Sequence, residues 1–384
     1  MNHARIITTT LITALLGVAC SADVSPDVAA PDGLPETGTL LEHPQIVATA
    51  DGGLVITWTR REGQSVDLFM SSLAGGAFAP PVRVNDIAGS VNRLPIDEMR
   101  QAVATGLDGR LAVAWTDADF DIRLSVSDDG GQSFQPSLRL NRDEGDALQE
   151  FPAIDFDDAG TIHAVWLDPR GAPAGFEEPA DLYYTAFSPT GELLDEINLT
   201  QDQESSVCGC CLPHIQARDD GTLAITFRNT TADGYRDPFR IVGTQGGFTS
   251  PAPVSPPVWQ IDACPIAGPI GVGNKTLWLD SSTGTQRLLS AVDPDTEPEA
   301  VFEDTAENLL LLPPRLVSGL PADAPVVLVP MADNSRLIVP DGNSWRVVAD
   351  DLPFWVTSAA VYDGQLLLAG TAEGFQFETR PFGQ

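Results

Sequence analysis

Four cysteines are the residues of this chain best suited to do chemistry: Cys208, Cys210 and Cys211 in a Cys-x-Cys-Cys cluster, and Cys264 in WQIDACP. Cys264 follows Cys211 by 53 residues, close to the interval at which the chain repeats itself, so the spacing predicts that the four sulfurs meet on adjacent repeats. Two chemistries fit. In an oxidising compartment an even number of cysteines pairs as disulfides, and Cys208 or Cys210 joined to Cys264 would staple neighbouring units. Thiolates converging from two strands with His214 nearby would instead suit Cu(I) or zinc. One staple with two ligands satisfies the same spacing. Around the cysteines Arg228, Tyr235, Arg236, Asp237, Arg240, Trp259 and Asp262 form a polar, aromatic set suited to a sugar or an acidic ligand, with salt bridging between units as the equal alternative. Tyr235, Arg236 and Asp262 are the candidates if that set is catalytic.

Weaker candidates lie outside this block. DADFD, with Asp117, Asp119 and Asp121, alternates carboxylates as a calcium loop does, yet it lacks the glycine expected at the sixth loop position and reads first as a solvated acidic loop. Glu42, Glu98 and Glu150 recur two residues before the proline position of three units and predict an acidic, cation-attracting channel mouth, or glutamates that merely bond backbone amides. His163 in TIHAVW reads as a packed strand residue. No phosphate loop, dinucleotide fingerprint, serine-nucleophile elbow or zinc-protease helix is present in the sequence.

The elements that must position these residues repeat. A glycine turn followed by a short alternating apolar run recurs as DGGLVITWT, DGRLAVAWTD, AGTIHAVWLD and DGTLAITFRN, with weaker copies at GNKTLWLD, APVVLVPM and DGQLLLAGT. Such a unit, with about four short strands, cannot bury both sheet faces alone, so units must stack around an axis. The pattern predicts an all-β chain folded as a single β-propeller of four-stranded blades, seven by count and six as the alternative. The last unit supplies about three strands, so the N-terminal segment TGTLLE is expected to complete it and close the ring.

SDDGGQSF, residues 127–134, resembles the Asp-box (BNR) turn of the sialidase-like propellers, with Ser127, Asp129, Gly131 and Phe134 at its marked positions. In that family the box is a structural turn remote from the active site. Residues 207–268, with CGCC, FRN, YRDPFRI and WQIDACPIAGP, resemble a recurring, largely uncharacterised secreted subgroup of the same family, which implies a site without implying a reaction. Sialidases themselves imply three arginines around a sugar carboxylate, a tyrosine nucleophile with its glutamate and an aspartate acid/base. The nearest approaches here, NRLP and FRIV, are incomplete.

Composition narrows the partners. The 54 acidic residues against 21 basic ones leave a formal charge of −33, which repels phosphate backbones and anionic lipid and excludes nucleic-acid binding as a function class. Residues 1–19 read as a signal peptide ending in LLGVA, and Cys20, next after it, resembles the lipidated cysteine of a bacterial lipoprotein. Ser21 after it implies the outer membrane, with ordinary secretion as the alternative. Residues 20–38, rich in Pro, Asp and Ala, read as a disordered tether, and 39–384 as the propeller. The expected protein is a monomeric, non-catalytic lipoprotein of the cell envelope that binds a glycan or an envelope protein and touches membrane only through its lipid. A sialidase-like glycoside hydrolase and a copper or zinc protein are the alternatives.

Overall fold

A computed structural model of the chain describes residues 40–382 apart from 75–76, 93–100, 146, 171–179, 202, 204, 263–264, 293, 305–311, 322, 332–333, 354–355 and 372–374. The signal peptide, Cys20, the tether and Cys264 lie outside the described residues. Among the described residues every regular element is a β-strand, and the strands form seven antiparallel sheets. The blades begin at strands Leu40–Ala48, Ala102–Thr105, Glu150–Phe156, His214–Ala217, Ile270–Val272, Arg315–Leu316 and Val356–Tyr362. The seven repeats of the sequence are therefore seven blades.

The glycine turns set the repeat. Gly52, Gly109, Gly160 and Gly221 have φ of 80°, 82°, 80° and 78°, the left-handed conformation that glycine adopts without steric cost, and each reverses the chain from the first strand of its blade into the second. The second strand is then buried on both faces: Leu111–Thr116 and Ile162–Asp168 have no exposed residue. Its fifth residue is Trp58, Trp115, Trp166 or Phe227 in the first four blades, each almost fully buried. The apolar core lies between sheets, one layer for each pair of neighbours, such as Val55, Leu68 and Met70 against Leu111, Val113 and Trp115 between the first two. A sheet with two apolar faces is stable only when both neighbours cover it, which is why no blade stands alone.

Closure differs from expectation. The last sheet holds three strands among the described residues, and Leu40 to Glu42, expected to complete it, open the first strand and pair with Arg61 to Thr59. The ring closes through side chains: Ile46, Leu54, Ile56 and Trp58 pack on Ala360, Leu367 and Ala369, while Ser358 Oγ accepts the Ile46 amide at 2.9 Å. Apolar area shared by the two blades does the work that a borrowed strand was expected to do.

The Asp-box turn spends its polar atoms internally. Ser127 Oγ donates to Asp129 Oδ1 at 2.8 Å and accepts the Gly131 amide at 2.8 Å, and Asp129 accepts the Ser133 amide at 2.9 Å. Phe134 packs onto the layer between blades one and two. Gly131 has φ of 86°, and a Cβ there would meet Met70 Sδ at 2.9 Å and Leu111 Cδ1 at 3.1 Å. Ser127 pairs with Leu111, at the far end of its blade from the loops that carry the cysteines. The turn is architectural.

The acidic ring does not assemble among the described residues. Glu42 is held by Arg61 at 3.0 Å, and Glu150 is buried with one carboxylate oxygen unpartnered, so burial pushes it up to about 8. Glu98 lies outside the described residues. DADFD is a salt-bridged turn: Asp117 accepts the Asp119 and Asp121 amides and Arg123 Nε, and Asp121 takes Arg139 Nε at 2.8 Å. Arginines occupy the carboxylates that the calcium alternative would use, and Asp117 is buried where a solvated loop was expected. His163 is the expected packed residue, bonded to the Tyr184 hydroxyl at 2.9 Å.

Candidate functional site

The site is built on one end of blade four. Strand Leu223–Thr230 runs up to that end, strand Pro238–Thr244 leaves it, and the cysteine turn enters His214–Ala217 from it. Three segments therefore share a rim: the cysteine turn, the loop 231–237 and the segment 258–262. They are tied by backbone. The Cys208 amide donates to the Arg228 carbonyl, the Arg236 amide to the Trp259 carbonyl and the Ile261 amide to the Gly234 carbonyl. Tyr235 faces Gln260 across an antiparallel bridge. Gly268 has no room for a Cβ because the Leu212 carbonyl lies against it, which brings the stretch after WQIDACP onto the stretch after CGCC.

Within the turn the Cys211 amide donates to the Cys208 carbonyl at 3.3 Å, closing a four-residue β-turn whose first and last side chains are both buried. Cys208 Sγ lies 3.4 Å from Cys211 Sγ and 3.6 Å from Cys210 Sγ. Arg236 Nη1 donates to Cys208 Sγ at 3.2 Å. Cys208 and Cys211 are free thiols, 1% and 0% exposed, whereas Cys210 is half-buried and disulfide-bonded. The two free thiols are unequal. The Cys211 hydrogen bond, helped by the Arg236 charge, holds Cys208 down at about 6 against its burial. Burial, and then the sulfur of Cys208, push Cys211 well above the ordinary thiol range.

The neighbouring residues divide into buried supports and surface groups. Arg228 is fully buried, and its guanidinium donates to the carbonyls of Ala267, Arg236 and Leu279 at 3.1, 2.6 and 2.9 Å, with its plane over Trp259. Trp259 is 3% exposed and Asp237 4%; the Asp237 carboxylate accepts the Val258 and Trp259 amides. These three fix the loops from beneath and offer a ligand no surface. Arg240 reaches across to the Asn274 and Val292 carbonyls of blade five. Tyr235 and Arg236 are half-buried, and Asp262 is exposed. Arg236 also donates to the Ile261 carbonyl at 3.3 Å, so its guanidinium is engaged on two sides.

The three sulfurs lie within 4.8 Å of one another, the one group of three or more such donors among the described residues. A tetrahedral zinc site needs four donors. Here Cys210 is spent in a disulfide, and His214 is not part of the group. His214 lines the central channel instead, where it accepts the Gly271 amide at 3.3 Å and where burial and the Arg315 charge hold it down at about 4. The described donors fall short of the four that the zinc alternative needs. The channel itself has a cavity of about 500 Å³ whose wall begins at Leu212 in this blade, so the cysteine turn sits at its rim and not in its wall. Asp155, also in the wall, is pushed up to about 6 by burial although it accepts two backbone amides.

Seven blades around one channel, an Asp-box turn at the end away from the site and loops of successive blades meeting at the other end settle the architecture. In fold the chain is a seven-bladed β-propeller. Among solved structures, this propeller is similar to a protein of unknown function from Dyadobacter fermentans, with a TM-score of 0.52 and 11% identity over 92% of this chain and 96% of that one. It is similar to an ulvan lyase, a polysaccharide lyase, with a TM-score of 0.52 and 9% identity over 90% of this chain and 94% of that one. A leech intramolecular trans-sialidase superposes more loosely, with a TM-score of 0.48 and 9% identity over 94% of this chain and 70% of that one. At these identities the likeness is one of fold. No family model and no curated protein matches the propeller.

One signal in the propeller's sequence carries more than the cluster reading gives it. Cys208 and Cys211 are spaced Cys-x-x-Cys inside Cys-x-Cys-Cys, and it is this nested pair whose sulfurs lie closest. The burial of Arg228 has no comparable signal, because an arginine in a strand-end string reads first as a surface charge.

Proposed function

We propose that this chain is a non-catalytic binding propeller of the bacterial cell envelope, held to the outer membrane by lipid on Cys20, with its ligand face on the blade-four rim. The observation that carries the reading is the division of labour in that rim. Arg228, Asp237 and Trp259 lock the loops from below, and Tyr235, Gln260 and Asp262 are left at the surface above them. A preorganised surface of this kind binds without paying to order its loops. A formal charge of −33 disfavours polyanions, so the ligand class is a neutral glycan or a protein. We take Cys264 as the disulfide partner of Cys210, stapling the two segments of the rim.

Sialidase-type hydrolysis is the weaker reading because its parts are engaged elsewhere. Arg236 serves Cys208 and a carbonyl, Tyr184 is buried with its hydroxyl on His163, and Tyr183 lies under the Arg170 guanidinium at 4.0 Å. The test is retention of the purified mature protein on glycan and envelope-protein arrays. Tyr235→Ala and Asp262→Ala are expected to weaken retention about tenfold each with the melting temperature unchanged. Turnover of any glycoside, or equal retention by wild type and both variants, overturns the reading.

A further inference from the structure

The cysteine turn holds sulfur at two oxidation levels in van der Waals contact. Cys208, a free thiol, lies 3.6 Å from Cys210, half of a disulfide, and 3.4 Å from Cys211, a second free thiol. The Arg236 guanidinium, 3.2 Å from Cys208 Sγ, donates to that sulfur and supplies positive charge beside it. We propose that Cys208 attacks the disulfide sulfur of Cys210, which makes this turn an internal thiol–disulfide exchange site, independent of whatever ligand the rim binds.

The bookkeeping needs no outside oxidant. The electron pair of the Cys208 thiolate forms the Cys208–Cys210 bond, the bond from Cys210 to its partner breaks, and that pair leaves on the partner sulfur. Cys211, having passed its proton to the departed thiolate, then attacks Cys208 from 3.4 Å. The bond becomes Cys208–Cys211, and the pair released from Cys210 leaves it as a thiolate. One disulfide is present at the start and one at the end. The asymmetry suits the order of events: the sulfur beside the arginine is the nucleophile, and the fully buried one with the raised pKa is the resolving thiol.

What changes is the surface. Cys208 and Cys211 are sealed from solvent, while Cys210 is half-buried, so among the described sulfurs external thiols and disulfides meet the site through Cys210. Exchange converts that sulfur from an inert disulfide half to a nucleophilic thiolate while the sealed pair stores the oxidising equivalent. The substrate class is a disulfide or thiol presented to the rim by another envelope protein or by a small thiol.

The experiment equilibrates the full secreted protein in mixtures of reduced and oxidised glutathione, quenches with acid, alkylates the free thiols and maps the disulfide-linked peptides by mass spectrometry. Wild type is expected to yield peptides joined through Cys208, to Cys210 and to Cys211, at least tenfold above the level in Cys208→Ser. Cys211→Ser is expected to accumulate the Cys208–Cys210 link because the second step is lost, and Arg236→Gln to slow the first step about tenfold. A single linkage through Cys210 in wild type at every glutathione ratio, with no peptide joined through Cys208, overturns the proposal. That comparison needs wild type alone, so it stands even if a cysteine variant fails to fold.

Discussion

At residues 127–134 a turn spends its hydroxyl and carboxylate on its own amides; at residues 208–211 a shorter turn buries two thiols of unequal acidity beside an arginine. Both are tight, both are pressed against a neighbouring blade, and they lie at opposite ends of the ring. The first holds a carboxylate in its ordinary ionised form with hydroxyls and amides, so nothing in it is poised to react. The second leaves a sulfur whose charged form is favoured by its partners and whose neighbour is at another oxidation level. Tightness alone therefore does not mark a site. An ionisable group held in its less common form by specific partners does.

The largest effect expected from breaking this contrast comes from the floor beneath the thiols. Arg228→Ala leaves the Ala267, Arg236 and Leu279 carbonyls without their donor and opens a cavity, so it should cost about 4 kcal/mol in denaturant unfolding. Gly131→Ala, in the other turn, forces a left-handed φ on a residue with a Cβ and drives that carbon onto Met70 and Leu111. A loss of about 2 kcal/mol is expected, with the thiol titration unchanged. If Gly131→Ala altered the thiols, the two ends would be coupled and the contrast would fail.

Glu150 sharpens the comparison as a buried acid without a partner cation. Its pKa of about 8 in the folded chain exceeds its unfolded value of 4.5, so the native state holds the extra proton between those pH values. Stability should fall as pH rises from about 4.5 through 8. Glu150→Gln should flatten that slope and gain about 1 kcal/mol at the alkaline end, read from thermal melts across pH. Cys208→Ser, the smallest change, should move stability by less than about 1 kcal/mol.

The fold was legible because its signals are local. A turn glycine, an alternating run and an Asp-box each report on a few adjacent residues, and seven such reports give seven blades. Ring closure was not, since the packing of Ile46 and Trp58 on Ala360 and Leu367 joins the two ends of the chain and leaves no periodic mark. The candidate site was legible as a convergence: CGCC, YRDPFRI and the segment from Trp259 to Asp262 do meet. Its roles were not. Trp259 and Arg228 read as ligand contacts because tryptophan and arginine often are, and only the rim's depth makes them supports. The Cys-x-x-Cys pair was in plain spacing, but its unequal acidity comes from burial and the hydrogen bond between the two sulfurs, helped by Arg236, a residue 28 positions from Cys208.

The most direct test of the central claim is the thiol state of the mature protein: a count by alkylation and intact mass without reductant, followed by titration of the thiolate absorbance against pH. Two free thiols are expected, one titrating near 6 and the other not titrating below the ordinary thiol range. No free thiol, or two that titrate together near the ordinary value of about 8.5, would contradict it.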